Sequence, residues 1–146
     1  MNNLKFLFLA VGILTVNLIL SVCHGGIGLF TAPFALPLIT LTIALGIEKI
    51  NPIYKVITII SLIIFHDLIF RVYSSGNYDQ VGETLVQISF LIGVIISLII
   101  LISTIILNRN ESLYHKLSSV FIYVCIISLY FYSFKNLGPG WRIYNL

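Results

Sequence analysis

The chain has 146 residues, of which 59% are hydrophobic and only 9% are charged, and its mean hydropathy is +1.08. Soluble domains carry about 25% charged residues, and a small one cannot hide this much apolar surface. The composition therefore excludes a soluble globular domain and a disordered chain. The net charge of +3 comes from scattered basic residues without a run or stripe, which excludes a nucleic-acid partner. The partner that the composition requires is a lipid bilayer.

Five apolar runs follow one another along the chain, at about residues 4–22, 27–47, 52–73, 84–107 and 117–134. Each comes close to the roughly 20 residues that a helix needs to cross a bilayer. The runs lack the alternation with period two that strands of a membrane barrel show. The sequence predicts an all-α polytopic integral membrane protein: a single domain over 1–146, built as a bundle of five transmembrane helices with short loops and a tail at 135–146.

Basic residues near the ends of the runs indicate an orientation, because cytoplasmic loops carry an excess of Lys and Arg. Lys5, Lys49, Lys55, Arg109 and Lys116 lie on one side, and Arg71, Lys135 and Arg142 lie on the other. This predicts a multi-pass protein of the cell membrane with a cytoplasmic N-terminus and a C-terminus outside. For the first run, a cleaved signal peptide is the alternative, since Lys5 precedes it and Ser21-Val22-Cys23 resembles a cleavage site.

Polar residues within apolar runs are expensive in lipid and are the first candidates for function. The predicted topology collects six polar residues at the outer face: His24, His66, Asp67, Arg71, Asp79 and Glu83. One interpretation is a polar or metal site at the outer mouth of the bundle. The structural alternative is that Asp67 pairs with Arg71 four residues on, that His66 bonds a neighbouring helix, and that the loop acids suit the start of a helix. Since no HxxH or HExxH spacing is present, we predict neither a metal nor a cofactor.

Two further patterns concern helix packing. A stripe of small residues at roughly helical spacing marks the fourth run: Gly82, Ser89, Gly93, Ser97 and Thr104. Such a stripe lets two helices approach closely, either within the chain or between two copies of it. Pro33 and Pro37 in the second run predict a kink, because proline removes a backbone donor from the helix.

Two smaller groups are interpreted structurally. Asn17 and Ser21 in the first run predict polar contacts with another helix. Four aromatic residues near the C-terminus predict a belt at the membrane interface: Tyr130, Tyr132, Trp141 and Tyr144.

The sequence contains no GxSxG, P-loop, GxGxxG or HExxH motif, so it does not identify an enzyme class. Three functions remain open. The first is a non-enzymatic membrane subunit, either a homo-oligomer or a companion of other membrane subunits. The second is a transporter or channel for ions or small solutes, built from several copies with a polar site at the outer end of the third helix. The third is a membrane-embedded enzyme that modifies lipid, with His66 as acid or base.

Overall fold

The computed structural model describes residues 2–47, 50–73, 80–107 and 112–134, and the regular secondary structure of these residues is entirely α-helical. The five helices are α1 (Asn2–Cys23), α2 (Gly25–Gly46), α3 (Pro52–Tyr73), α4 (Gln80–Leu107) and α5 (Leu113–Phe134). The all-α prediction is confirmed. In the described part of the chain, α1, α3, α4 and α5 are long and apolar enough to cross a membrane, and α2 contributes a shorter apolar stretch, Phe30–Gly46.

Two of the helices begin earlier than their apolar runs predict. Helix α4 starts at Gln80 rather than near residue 84, and α5 starts at Leu113 rather than near residue 117. His115 and Lys116 therefore belong to the first turn of α5 and not to a loop. An apolar run underestimates the length of a membrane helix, because the end turns of the helix can lie in the polar headgroup region, where polar side chains are not expensive.

The helices form two layers. Helix α2 packs most extensively against α1 and α4, whereas α3 packs mainly against α5 and also touches the other three helices. This places α1, α2 and α4 in one layer and α3 and α5 in the other. The core between the layers is aliphatic, and its fully buried members on α2 and α3 are Leu36, Ile39, Ile43, Val56, Ile59, Ile60 and Ile63.

Gly93 marks a close approach of α4 to α2. A methyl group built on Gly93 would lie 2.9 Å from Leu36 Cδ1 and 3.4 Å from Pro33 Cα. Ser97, one turn further along α4, is fully buried as well. This part of the stripe therefore packs within the chain. Of its other members, Ser89 is half-buried, Thr104 bonds the Leu101 carbonyl at 2.9 Å, and the surroundings of Gly82 lie outside the described residues.

Both prolines of α2 lie inside one continuous helix, since Gly25–Gly46 is helical throughout. The backbone is not unwound at Pro33 or Pro37, and a bend at this point stays a prediction. Because consecutive helices alternate in direction, α1, α3 and α5 end where α2 and α4 begin. We call this end of the bundle the polar end.

Candidate functional site

The polar end contains a cluster of buried polar side chains centred on α3. His66, Asp67 and Arg71 are only 1%, 2% and 3% exposed. His66 and Asp67 are consecutive, so they point about 100° apart around the helix axis, given 3.6 residues per turn. His66 consequently faces α1, and Asp67 faces α5. We call the whole set the polar cluster and divide it into two networks.

The first network joins α3 to α1 and α2. His66 Nε2 lies 2.5 Å from Asn17 Oδ1, and Asn17 Nδ2 donates to Thr31 Oγ1 at 2.6 Å. The Thr31 hydroxyl donates in turn to the Ile27 carbonyl at 3.0 Å. We call these three side chains the histidine network. It joins three helices through side chains whose polar groups would otherwise face hydrocarbon.

The second network joins α3 to α5. Arg71 Nε donates to Asp67 Oδ2 at 2.6 Å, in the i,i+4 geometry of a single helix. The Tyr130 hydroxyl donates to the same carboxylate oxygen. We call these three residues the aspartate network. A buried carboxylate that faces a guanidinium and a phenol is compensated in charge and in hydrogen bonds, which is the condition for a stable buried ion pair.

Aromatic packing holds Tyr130 in this position. Its ring lies 6.1 Å from that of Phe90 on α4 in an edge-to-face arrangement and 5.0 Å from that of Phe134 on α5. Phe90 also contacts Phe131, with 5.6 Å between ring centres. These are favourable distances for aromatic pairs. Aromatic contacts with α4 and α5 thus hold the ring of Tyr130 while its phenol reaches Asp67.

The structure brings together three of the six residues predicted for the outer site. His66, Asp67 and Arg71 lie together at the polar end. His24 is exposed between α1 and α2 and makes no side-chain hydrogen bond to cap α2. Asp79 lies outside the described residues, as does the side chain of Glu83, whose backbone belongs to α4. Among the described residues, no three His, Cys, Asp or Glu side chains are grouped so that they could hold a metal ion.

Asn17, Thr31 and Tyr130 belong to the cluster but not to the predicted site. Asn17 makes the interhelical contact that its position in an apolar run suggests, whereas Ser21 bonds the Asn17 carbonyl within α1 at 2.7 Å. The sequence does not indicate the role of Thr31, because a threonine in a membrane helix often bonds only the backbone of its own helix. The interpretation of Tyr130 as part of an interfacial belt is wrong, since its side chain is buried against Asp67. Tyr132 is 75% exposed, as a belt residue would be.

The contacts of His66, Asp67 and Arg71 are those of the structural alternative rather than of an open site. The polar groups that the topology brings together are bonded to one another inside the bundle. Comparison with known proteins adds no further constraint: no family model, no curated protein and no solved structure matches this chain.

Proposed function

We propose that this chain is a non-enzymatic, multi-pass protein of the cell membrane that acts as a subunit of a larger assembly, chiefly with further copies of itself. The observation that supports this proposal is the closure of the polar cluster. His66, Asp67 and Arg71 are each at most 3% exposed and are bonded to side chains of the same chain. A substrate or a permeating ion would have to displace these side chains in order to bind the carboxylate or the guanidinium.

The outer face of α4 supports self-assembly. One row of its exposed and half-exposed aliphatic residues is spaced in alternating steps of three and four over three heptads: Leu85, Ile88, Ile92, Ile95, Ile99, Ile102 and Ile106. We call this row the α4 ladder. Steps of three and four bring side chains to one narrow seam, which is the pattern of helices that pack side by side with a small left-handed crossing. Most membrane helix pairs cross in this way.

The ladder lies away from the buried face of α4, and its first three members, Leu85, Ile88 and Ile92, border an open groove next to α2. Gly93 and Ser97, on the opposite side, are buried within the chain. A second copy could therefore dock on the ladder without disturbing the packing of α2 on α4. The stripe of small residues at Gly93 and Ser97 is not available for this purpose, because α2 already covers it.

Disulfide cross-linking in native membranes tests this proposal. In a background in which Cys23 and Cys125 are replaced by serine, single cysteines are placed at Ile92, Ile95 or Ile99. We expect an oxidant to produce a covalent dimer from each of these variants. The matched control is Ile96→Cys, since Ile96 is also exposed to lipid, at 38% against 47% for Ile95, but lies off the ladder.

Equal cross-linking at Ile95 and Ile96 would show random collision and contradict the α4 interface. A mass measurement on the purified chain decides the wider proposal. A lone monomer without any accompanying chain would contradict the assignment as a subunit.

The orientation proposed here is a cytoplasmic N-terminus and a polar end that faces outside. Arg71 was one of three basic residues on the outer side, but it is buried in an ion pair with Asp67. A guanidinium that is paired inside the bundle contributes less to loop charge than a free one. If Arg71 is not counted among the basic residues of the outer side, the excess of Lys and Arg on the side of Lys5 and Lys116 becomes larger.

A further inference from the structure

The partners of Asn17 determine which nitrogen of His66 carries a proton. Asn17 Nδ2 donates to Thr31 Oγ1, and the Thr31 hydroxyl proton is directed to the Ile27 carbonyl. The amide oxygen of Asn17 is therefore the group that faces His66, at 2.5 Å from Nε2. An amide oxygen only accepts, so Nε2 carries the proton, and Nδ1 of the neutral ring is an acceptor.

Nδ1 of His66 is buried and has no hydrogen-bond partner among the described residues. Nε2 is turned to Asn17 on α1, so Nδ1 is the ring nitrogen left to bind a ligand. His66 also lines a small cavity between α2, α3 and α4. His66, Asp67 and Ser89 supply its polar lining, and Ala32 and Phe90 are among its apolar residues.

The size of the cavity identifies its ligand class. The space open to the centre of a water molecule is about 10 Å³, which is close to the smallest volume that holds one water molecule by this measure. A buried water molecule also needs two to four polar partners. The lining offers an imidazole acceptor, a carboxylate and a hydroxyl, which meets this requirement, whereas the space is too small for an organic solute.

We infer that this cavity is a binding site for a single water molecule that donates one hydrogen bond to His66 Nδ1 and the other to Asp67. The site links the histidine network to the aspartate network. The two networks already join α1, α2, α3 and α5, and Ser89 brings α4 to the same water molecule. The five helices are then connected by one buried polar network, although the two halves of that network have no direct hydrogen bond in the described part of the chain.

NMR spectroscopy of the full chain in lipid bilayers, with ¹⁵N-labelled histidine, tests this inference. His24→Gln and His115→Gln leave His66 as the single labelled ring. We expect a neutral ring with the proton on Nε2, an Nδ1 resonance typical of a hydrogen-bonded acceptor, and a cross-peak between the ring and water protons. A proton on Nδ1, or a ring without contact to water, would overturn the inference.

A variant that fills the cavity provides a second test of the water site. Ala32→Val adds two methyl groups to its wall, and we expect the water cross-peak of His66 to be lost. The matched control is Ala35→Val, because Ala35 is also buried on α2 but lines the open groove between α1 and α2 instead. If Ala32→Val retains the cross-peak, the water molecule is elsewhere and the inference fails. If this variant does not fold, the wild-type spectrum alone decides. The result does not depend on the oligomeric state and so is separate from the test of the proposed function.

Discussion

At the scale of single residues, Asp67 is the point on which most of the polar cluster depends, since it accepts from both Arg71 and Tyr130. We expect Asp67→Ala to destabilise the protein by about 3–5 kcal/mol, because it breaks the buried ion pair and takes the carboxylate away from the Arg71 guanidinium. The double variant Asp67→Leu/Arg71→Met should recover most of this loss, since apolar residues of similar volume replace a buried ion pair at little cost.

The free energy of unfolding in mixed detergent micelles measures both effects. If the double variant is as unstable as Asp67→Ala, the loss does not come from breaking the ion pair between Asp67 and Arg71. In that case Asp67 would be needed for a reason other than its ion pair.

Tyr130 provides a second prediction, with a natural comparison on the same helix. The Tyr130 hydroxyl donates to a carboxylate, whereas that of Tyr123, equally buried on α5, donates to the Val94 carbonyl at 3.2 Å. Hydrogen bonds to charged groups contribute more than neutral ones, and neutral ones between membrane helices average about 0.6 kcal/mol. We expect Tyr130→Phe to cost about 1–2 kcal/mol and Tyr123→Phe about 0.6 kcal/mol.

Thermal unfolding of the two variants side by side checks this order. Because each variant removes only one hydroxyl from a buried ring, differences in packing largely cancel. Equal losses would mean that the bond from Tyr130 to Asp67 is worth no more than a neutral one.

The polar cluster could be predicted only in part. Asp67 and Arg71 are neighbours on one helix, so their spacing alone indicates the pair. Tyr130 lies 63 residues further along the chain from Asp67, and its partner depends on the way in which α5 packs against α3. The aromatic content near the end of α5 is compatible both with an interfacial belt and with burial. Helix packing, which one sequence does not specify, decides between them.

At the scale of helices, the fold was more predictable than the cluster, because the cost of an unpaired backbone in lipid leaves little choice but a helix. The apolar run at 52–73 gave the bounds of α3 correctly. The starts of α4 and α5 were missed because their first turns are polar, and a hydropathy argument ends where the polar residues begin. The neighbours of each helix also could not be predicted, since the apolar faces of the five runs resemble one another.

Gly93 tests the packing of α4 on α2. Leucine at this position would be forced against Leu36 and the backbone of Pro33, and overpacking of this kind typically costs about 1–3 kcal/mol. Gly12 on α1 is the matched control, because a methyl group built there meets nothing within 4 Å. We expect Gly93→Leu to lower the stability and Gly12→Leu to leave it unchanged or to raise it, since leucine favours a helix over glycine by up to about 1 kcal/mol.

Unfolding curves of the two glycine variants in the same detergent measure this contrast. A loss of the same size at Gly12 would indicate that leucine is poorly tolerated in these helices in general. The close approach of α4 to α2 would then not be the cause.

At the scale of the whole molecule, the proposed function includes one orientation in the membrane. Labelling of single cysteines tests this orientation. Cys23 is exposed at the end of α1, beside the polar end. In a Cys125→Ser background, we expect a membrane-impermeant maleimide to label Cys23 in intact cells. Ser112 is exposed at the opposite end, just before α5. Ser112→Cys in a Cys23→Ser, Cys125→Ser background should therefore be labelled only after the membrane is opened.

The reverse pattern would place the polar end in the cytoplasm, and the excess of basic residues would then lie on the wrong side. Labelling at both positions in intact cells would indicate two orientations in one membrane. A single orientation also matters for assembly. Helix α4 runs from the polar end, so two copies inserted in the same direction present their α4 ladders in parallel. Ile95 of one copy then lies at the depth of Ile95 of the other, which is the geometry that cross-linking of a single cysteine requires.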